Sequence, residues 1–272
     1  MKIFAVFGDP VKHSLSPMMH NAAMLELGFN GVYHAFQVKS GDLRDAIYGA
    51  KAMGFGGINL TVPHKEKALE FIKPDPLAAK IGAVNTIDFR DGITGYNTDG
   101  IGALRTLMDS GIEVRDASVL VVGAGGAARA ISFQLASEGS HVTIVNRTPE
   151  RAFKLAEEVS GVGSARGTGL DDLKSLIKEA DILINSTTVG MYPAIDNTIA
   201  TADMMHPDLT VFDIVYNPLE TRLLKEAKKA GSNAINGVMM LVYQGAEAFE
   251  IWTDIRPPVN VMKQAVLEGL GR

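Results

Sequence analysis

The sequence predicts an α/β protein of two domains, each organised around a largely parallel sheet. Three observations carry that expectation. Apolar, β-branched runs alternate with amphipathic stretches along nearly the whole chain, a strand followed by a glycine-rich turn and a helix opens mid-chain, and the last two helical stretches have no strand partner of their own.

Taken in order, "KIFAVFG" reads as a buried strand, and "MMHNAAMLELGF" has helical spacing that stops at Gly28. "GVYHAFQV", "DLRDAIYGAKAMG" and "GGINLTV" then give strand, helix and strand. "AVNTIDFRDGITGYNTDG" differs, because two short extended runs flank Asp91-Gly92, a hairpin signal that adds antiparallel pairing to the first sheet. "GIGALRTLMDSG" is the expected helical join. The second cycle starts at "ASVLVVGAGGAARAISFQLASEG" and continues through strands "HVTIVNRT", "DILINSTTVGM" and "LTVFDIVYNP", with helices near 149–159, 171–179 and 220–230. "LVYQGAEAFEIWT" and "NVMKQAVLEGL" are expected to return to the first module. The expected division is therefore residues 1–100 plus 238–272 in a discontinuous first domain and 101–237 in the second.

Composition narrows the chemistry. The 272 residues are 46% hydrophobic and 21% charged, as in ordinary globular proteins, and the net charge of −5 with no basic stripe speaks against nucleic acid as a partner. With no cysteine there is no disulfide, thiolate ligand or thiol nucleophile, and the six histidines show no paired metal-ligand spacing, so no metal is expected. The apolar run before Gly8, Asp9 and Pro10 is too brief for a signal peptide or a membrane span, so the expectation is a cytoplasmic protein.

The glycine turn places Gly123, Gly125 and Ala128 at the G-x-G-x-x-A positions, directly after a strand and at the head of a helix. Gly123 permits the tight turn, Gly125 lets backbone approach a pyrophosphate, and Ala128 allows close helix packing, the requirements of a Rossmann-type dinucleotide site. An NAD-specific site usually carries Asp or Glu at the end of the next strand. Asn146 stands there instead, followed by Arg147, Thr148 and Arg151, a set suited to a 2′-phosphate and hence to NADP. Cations at a helix start oppose its dipole unless an anion is present.

The first module collects polar residues at the ends of its strands: Ser14 and Ser16 before the first helix, Asn59, Thr61, His64 and Lys65 in "NLTVPHK", Asn85 in "AVNT", and Asn97 and Asp99 in "NTDG". Ser16 followed by Pro17 reads as a helix N-cap pair. A lysine beside an aspartate, with amide and hydroxyl groups around them, suits proton transfer to a substrate oxygen. His64 reads as a neighbour of such a site and not as its base.

"SLSP", "NLTVPHK", "AVNT", "NTDG", "GAGGAARA", "NRTPERA" and "YQGAEAFEIWT", in this order over essentially the entire chain, resemble the shikimate dehydrogenase family. The resemblance implies NADP-dependent, reversible reduction of 3-dehydroshikimate to shikimate in aromatic amino acid biosynthesis, with an active-site cleft between a substrate domain and a Rossmann-type NADP domain. It implies that Ser14 and Ser16 hold the substrate carboxylate, that Thr61, Asn85, Asp99 and Gln244 bind its hydroxyls with Asn59 in the same set, and that Tyr216 lies nearby. Lys65 becomes the acid/base residue and Asp99 its partner. On the cofactor side it implies Gly123, Ala124, Gly125, Gly126 and Ala127 at the pyrophosphate, Asn146, Arg147 and Arg151 at the 2′-phosphate beside Thr148, and Ile214 and Gly237 at the nicotinamide. A monomer or homodimer is expected. Two rivals are a dehydrogenase that also or preferentially oxidises quinate and a non-catalytic NADP-binding sensor or regulatory relative, the latter disfavoured because Lys65 and Asp99 are both present.

Overall fold

The structure, a computed structural model, describes residues 1–271. The chain divides into two compact units, residues 1–102 with the segment from Leu241 onward, and Ala103–Met240.

Unit 1 begins with β1 (Lys2–Gly8), α1 (Ser16–Glu26), β2 (Gly31–Gln37), α2 (Leu43–Ala52), β3 (Gly57–Leu60) and the single turn α3 (His64–Lys67). It continues with β4 (Lys73–Pro74), α4 (Pro76–Ile81), β5 (Thr86–Asp88), β6 (Thr94–Tyr96) and the start of α5 (Asp99–Asp109). The sheet order is β2-β1-β3-β5-β6-β4, with β1, β2 and β3 mutually parallel in register and β5 antiparallel to both β3 and β6. β1 is central, and its run from Phe4 to Phe7 is buried on both faces, as a strand covered on both sides requires. Phe7, Leu43, Ile47, Ile58, Leu60 and Ile87 form the core under one face. The antiparallel step is the hairpin around Asp91-Gly92, with Gly92 at φ 134° where a side chain would be strained.

Unit 2 holds β7 (Ser118–Val122), α6 (Gly126–Ser137), β8 (His141–Val145), α7 (Pro149–Val159), β9 (Ser164–Thr168), α8 (Leu173–Glu179), β10 (Ile182–Asn185), β11 (Thr210–Asp213), α9 (Arg222–Lys229) and β12 (Asn233–Ile235). Every pairing in its sheet, ordered β12-β11-β10-β7-β8-β9, is parallel. The order reverses at β7, so the crevice at its carboxyl end is the topological switch point where such sheets take ligands. Chain order continues with α10 (Val238–Thr253) and α11 (Val259–Leu270). In unit 1, Trp252 of α10 stacks on Phe4 at 5.0 Å and donates to the Ile87 carbonyl at 3.0 Å. A Cβ at Gly57 would sit 2.1 Å from that indole nitrogen, so only glycine lets the helix close on β3.

Three local expectations change. Ser16 is the first residue of α1 and not its cap: Leu15 holds the cap position without a side-chain bond, and the Ser16 amide instead donates to Ser14 Oγ at 3.3 Å. Ser14 is therefore the serine whose side chain closes the turn. β9 and β12 were not expected, because "SARGT" and "NAI" are too short or too polar for a periodic signal. β4, only two residues long, escaped for the same reason.

Candidate active site

In unit 1 the strand-end polar residues converge on one pair of charges. Lys65 Nζ donates to Asp99 Oδ2 at 2.6 Å, with the lysine side chain 17% and the aspartate 6% exposed. Each partner is held by backbone geometry. The Lys65 carbonyl accepts from the Val84 amide at 2.8 Å, which fixes α3 against the segment entering β5. Asp99 opens α5, where the positive end of the helix dipole favours a carboxylate, and its amide donates to Asn97 Oδ1 at 3.0 Å. Asn97 is anchored in turn by donating to the Ala83 carbonyl.

Asn85 joins these pieces. Its Nδ2 donates to Asp99 Oδ1 and Thr98 Oγ1, both at 2.9 Å, and approaches Gln244 Oε1 of α10 at 3.4 Å. Its Oδ1 accepts from the Thr98 amide and the Thr86 hydroxyl. The amide orientation is thereby fixed: nitrogen toward the carboxylate, oxygen away from it. A buried carboxylate held by two donors, one of them an ammonium, keeps its position.

The remaining expected substrate residues divide by burial. Ser14, Thr61 and Gln244 are half-buried, whereas Ser16 and Asn59 are buried. Asn59 spends both amide hydrogens on the Asn85 carbonyl and Thr86 Oγ1, and its oxygen accepts from Tyr33. Only one acceptor position is left for any ligand. Tyr216 is half-buried and belongs to unit 2, so unit 1 alone does not assemble the whole expected set. His64 is buried, donates Nε2–H to the Val38 carbonyl at 2.7 Å, and is pulled below the usual imidazole range by burial; it is a structural neighbour of Lys65.

Unit 2 carries the glycine turn. Gly123 has φ +122°, and a Cβ there would lie 2.6 Å from Ser186 Oγ, so backbone conformation and packing both demand glycine. At Gly125 no atom beyond its own chain neighbours lies within 4 Å of where a Cβ would be. Packing does not explain that glycine, and the space its missing side chain leaves, at the N-terminus of α6, fits the approach of a pyrophosphate to bare backbone amides. Ala128 is buried where α6 meets the sheet. Arg151 reaches back to the Ala124 carbonyl at 3.3 Å, Asn146 donates to the Thr148 carbonyl at 3.0 Å, and Arg147 and Thr148 are exposed at the end of β8. These residues fit a phosphorylated dinucleotide: guanidinium groups beside the switch-point crevice, and Asn146 in place of an acidic side chain at the end of β8. A Cβ at Gly237 would fall 2.1 Å from the Ile214 carbonyl oxygen, so the chain leaving β12 runs directly against the segment after β11.

Two groups of site-supporting residues were not read from the sequence. One is Tyr33 with Thr86 and Thr98, of which the two threonines sit inside the motifs "AVNT" and "NTDG" and Tyr33 sits in none. The other is a buried network in unit 2 in which Asp213 accepts from Asn185 Nδ2 at 2.9 Å, the Val215 amide at 3.1 Å and Thr221 Oγ1 at 2.6 Å. Burial raises the Asp213 carboxyl to about 6 despite these donors. Among the described residues no cluster of acidic and histidine side chains is able to hold a metal ion, and no helix is long and apolar enough to cross a membrane.

A dinucleotide-type parallel unit, joined in one chain to a unit bearing a lysine–aspartate pair, defines the class: an α/β dehydrogenase. Sequence profiles make the assignment specific. That of the shikimate dehydrogenase substrate binding domain matches residues 6–87, that of shikimate / quinate 5-dehydrogenase residues 106–218, and that of the shikimate 5′-dehydrogenase C-terminal domain residues 237–267. The chain belongs to the shikimate dehydrogenase family. It is 60% identical to the shikimate dehydrogenase (NADP(+)) of Methanosarcina acetivorans, with 99% of each chain covered. Among solved structures it is similar to the Thermus thermophilus shikimate 5-dehydrogenase in complex with NADP(H) and shikimate, at TM-score 0.91 and 39% identity over 99% of this chain and all of that one. It also resembles the Corynebacterium glutamicum quinate dehydrogenase in complex with NAD, at TM-score 0.90 and 30% identity over 98% and 99% of the two chains.

Proposed function

We propose that the chain is a shikimate dehydrogenase that catalyses the reversible NADPH-dependent reduction of 3-dehydroshikimate to shikimate, in the biosynthesis of aromatic amino acids. The observation that carries the reading is the 2.6 Å Lys65–Asp99 pair, held by Asn85 at the strand ends of unit 1. Residues 1–100 plus 238–272 form its substrate domain and 101–237 its NADP-binding domain. The nicotinamide, when bound, supplies the hydride. In the reducing direction negative charge develops on the substrate carbonyl oxygen, and the Lys65 ammonium stabilises that charge and donates the proton. Asp99 orients the ammonium. In the oxidising direction the neutral amine accepts the hydroxyl proton.

Ser14 and Ser16 bind the substrate carboxylate with hydroxyl donors, and Thr61, Asn85, Asp99 and Gln244 bind ring hydroxyls, with Tyr216 in the same set. Asn59 serves this set mainly by fixing its neighbours, since its own donors are committed. Gly123 through Ala127 hold the pyrophosphate, Asn146, Arg147, Thr148 and Arg151 the 2′-phosphate end, and Ile214 and Gly237 the nicotinamide end. The enzyme works in the cytoplasm as a monomer or homodimer, without nucleic acid, a reading supported by its net charge of −5 and by biosynthetic relatives.

The test is an assay of the purified chain with shikimate or quinate, each with NADP+ or NAD+. Turnover fastest with shikimate and NADP+ is expected. Preference for quinate would move the chain to the other substrate of its family, and absence of turnover on both would reject the reading.

A further inference from the structure

We propose that Tyr33 is a positioning residue for the substrate site, acting through Asn59; this rests on the reading of unit 1 given above. Tyr33 lies on β2, separated from β3 by β1, yet its hydroxyl donates to Asn59 Oδ1 at 2.7 Å. The phenol is completely buried, which raises its pKa, and a hydrogen bond from the Ser16 side chain opposes that rise. A phenylalanine would fill nearly the same volume with no polar atom to satisfy, so packing alone does not account for the hydroxyl.

The ring has little freedom. Asn21 bonds both the amide and the carbonyl of Tyr33, at 2.8 and 2.9 Å, and the His20 ring stacks on the phenol at 4.3 Å with an 8° tilt. A rigid donor presented to an amide oxygen decides which way that amide faces. With its oxygen on Tyr33, Asn59 turns its two N–H groups toward the Asn85 carbonyl and Thr86 Oγ1, each at 3.0 Å. The Thr86 hydroxyl then donates to Asn85 Oδ1 at 2.9 Å, Asn85 Nδ2 donates to Asp99 Oδ1 at 2.9 Å, and Lys65 closes the far side of that carboxylate. Every donor in this chain points the same way, from the phenol to the charged pair.

Tyr33→Phe deletes only the donor and leaves Asn59 Oδ1 buried without one. For a lost buried hydrogen bond, kcat/KM for shikimate is expected to fall about 5- to 50-fold, most of it in KM, with KM for NADP+ changed less than about twofold. A purely structural role would lower the melting temperature and leave shikimate KM alone. The Asn59→Ala variant should show the same selective rise in shikimate KM, and Tyr33→Phe added to it should cause no further loss, because the path is already cut. Unchanged shikimate KM in Tyr33→Phe, or additive losses in the double variant, would overturn the proposal; should Tyr33→Phe fail to fold, an unchanged shikimate KM in Asn59→Ala overturns it by itself. A wild-type protein that does not oxidise shikimate would instead overturn the functional reading on which it rests.

Discussion

In the proposed reaction Lys65 is the residue on which the chemistry turns. Its ammonium matters most when charge has developed on the substrate oxygen, and interactions confined to that moment appear in kcat. Lys65→Ala is expected to lower kcat by about 10² to 10⁴ while KM for shikimate changes less than about tenfold, as for a general acid. Steady-state kinetics decide the matter, and a variant that keeps its turnover but loses affinity would make Lys65 a binding residue. Asp99→Asn should behave differently, since Asp99 orients the lysine and also faces substrate in this reading: KM should rise and kcat fall together. Burial supports these roles without explaining the residue choice. A buried Asp held by Lys65 and Asn85 serves structure and chemistry alike, and the partial exposure of the Lys65 side chain favours chemistry.

At the scale of elements, the proposed cofactor site gives two turns of unit 2 separable roles. The end of β8 presents Arg147 to solvent, while Asn146 holds the Thr148 carbonyl. Arg147→Ala is expected to weaken NADP+ binding by roughly 1.5 to 3 kcal/mol, the scale of one charge-assisted contact, and to leave NAD+ nearly unchanged. Titration of both cofactors checks this; equal weakening would show that the arginine does not read the phosphate. The turn after β12 is constrained by packing. At Gly237 an alanine methyl would strike the Ile214 carbonyl, and backbone must yield. Gly237→Ala should cost about 1 to 3 kcal/mol of stability, as overpacking does, and raise KM for NADP+ by displacing Ile214. An unaltered melting temperature would show that the segment moves freely.

For the whole molecule, acid separates the two units. Burial lowers His20 of unit 1 from 6.5 to about 3, so its neutral ring contributes stability that is complete above pH 6.5 and is lost as pH falls toward 3, roughly 5 kcal/mol in all. Asp213 of unit 2 has the opposite sign. Its pKa rises from 3.8 to about 6, so its contribution is complete below pH 3.8 and is lost as pH rises through 6, roughly 3 kcal/mol. Between pH 6 and 4 unit 1 therefore weakens while unit 2 gains. Trp252, the sole tryptophan, lies in unit 1 with its ring 5.7 Å from His20 and reports that unit alone. Its fluorescence should change at a higher pH than the circular dichroism of the whole chain, and His20→Phe should move the fluorescence transition to lower pH. Coincident transitions unmoved by the substitution would refute the assignment.

What the sequence by itself determined is what local pattern encodes: alternating strands and helices, the hairpin at Asp91-Gly92, the glycine turn with its strand before and helix after, and polar residues gathered at strand ends. Period and turn chemistry are properties of neighbouring residues, so they survive without coordinates. Two-residue β4 and polar β9 were not legible, because pairing with a neighbour, not composition, makes them strands. Only tertiary structure decided that Ser14 and not Ser16 closes the first turn, that Asn59 turns inward to Tyr33 while Asn85 turns to Asp99, and that His20 and Asp213 are buried. Asn59 and Asn85 are the same residue type in similar surroundings along the chain. Their roles diverge because partners 26 and 14 positions away fix which hydrogen bonds each amide makes, and no local pattern contains that information.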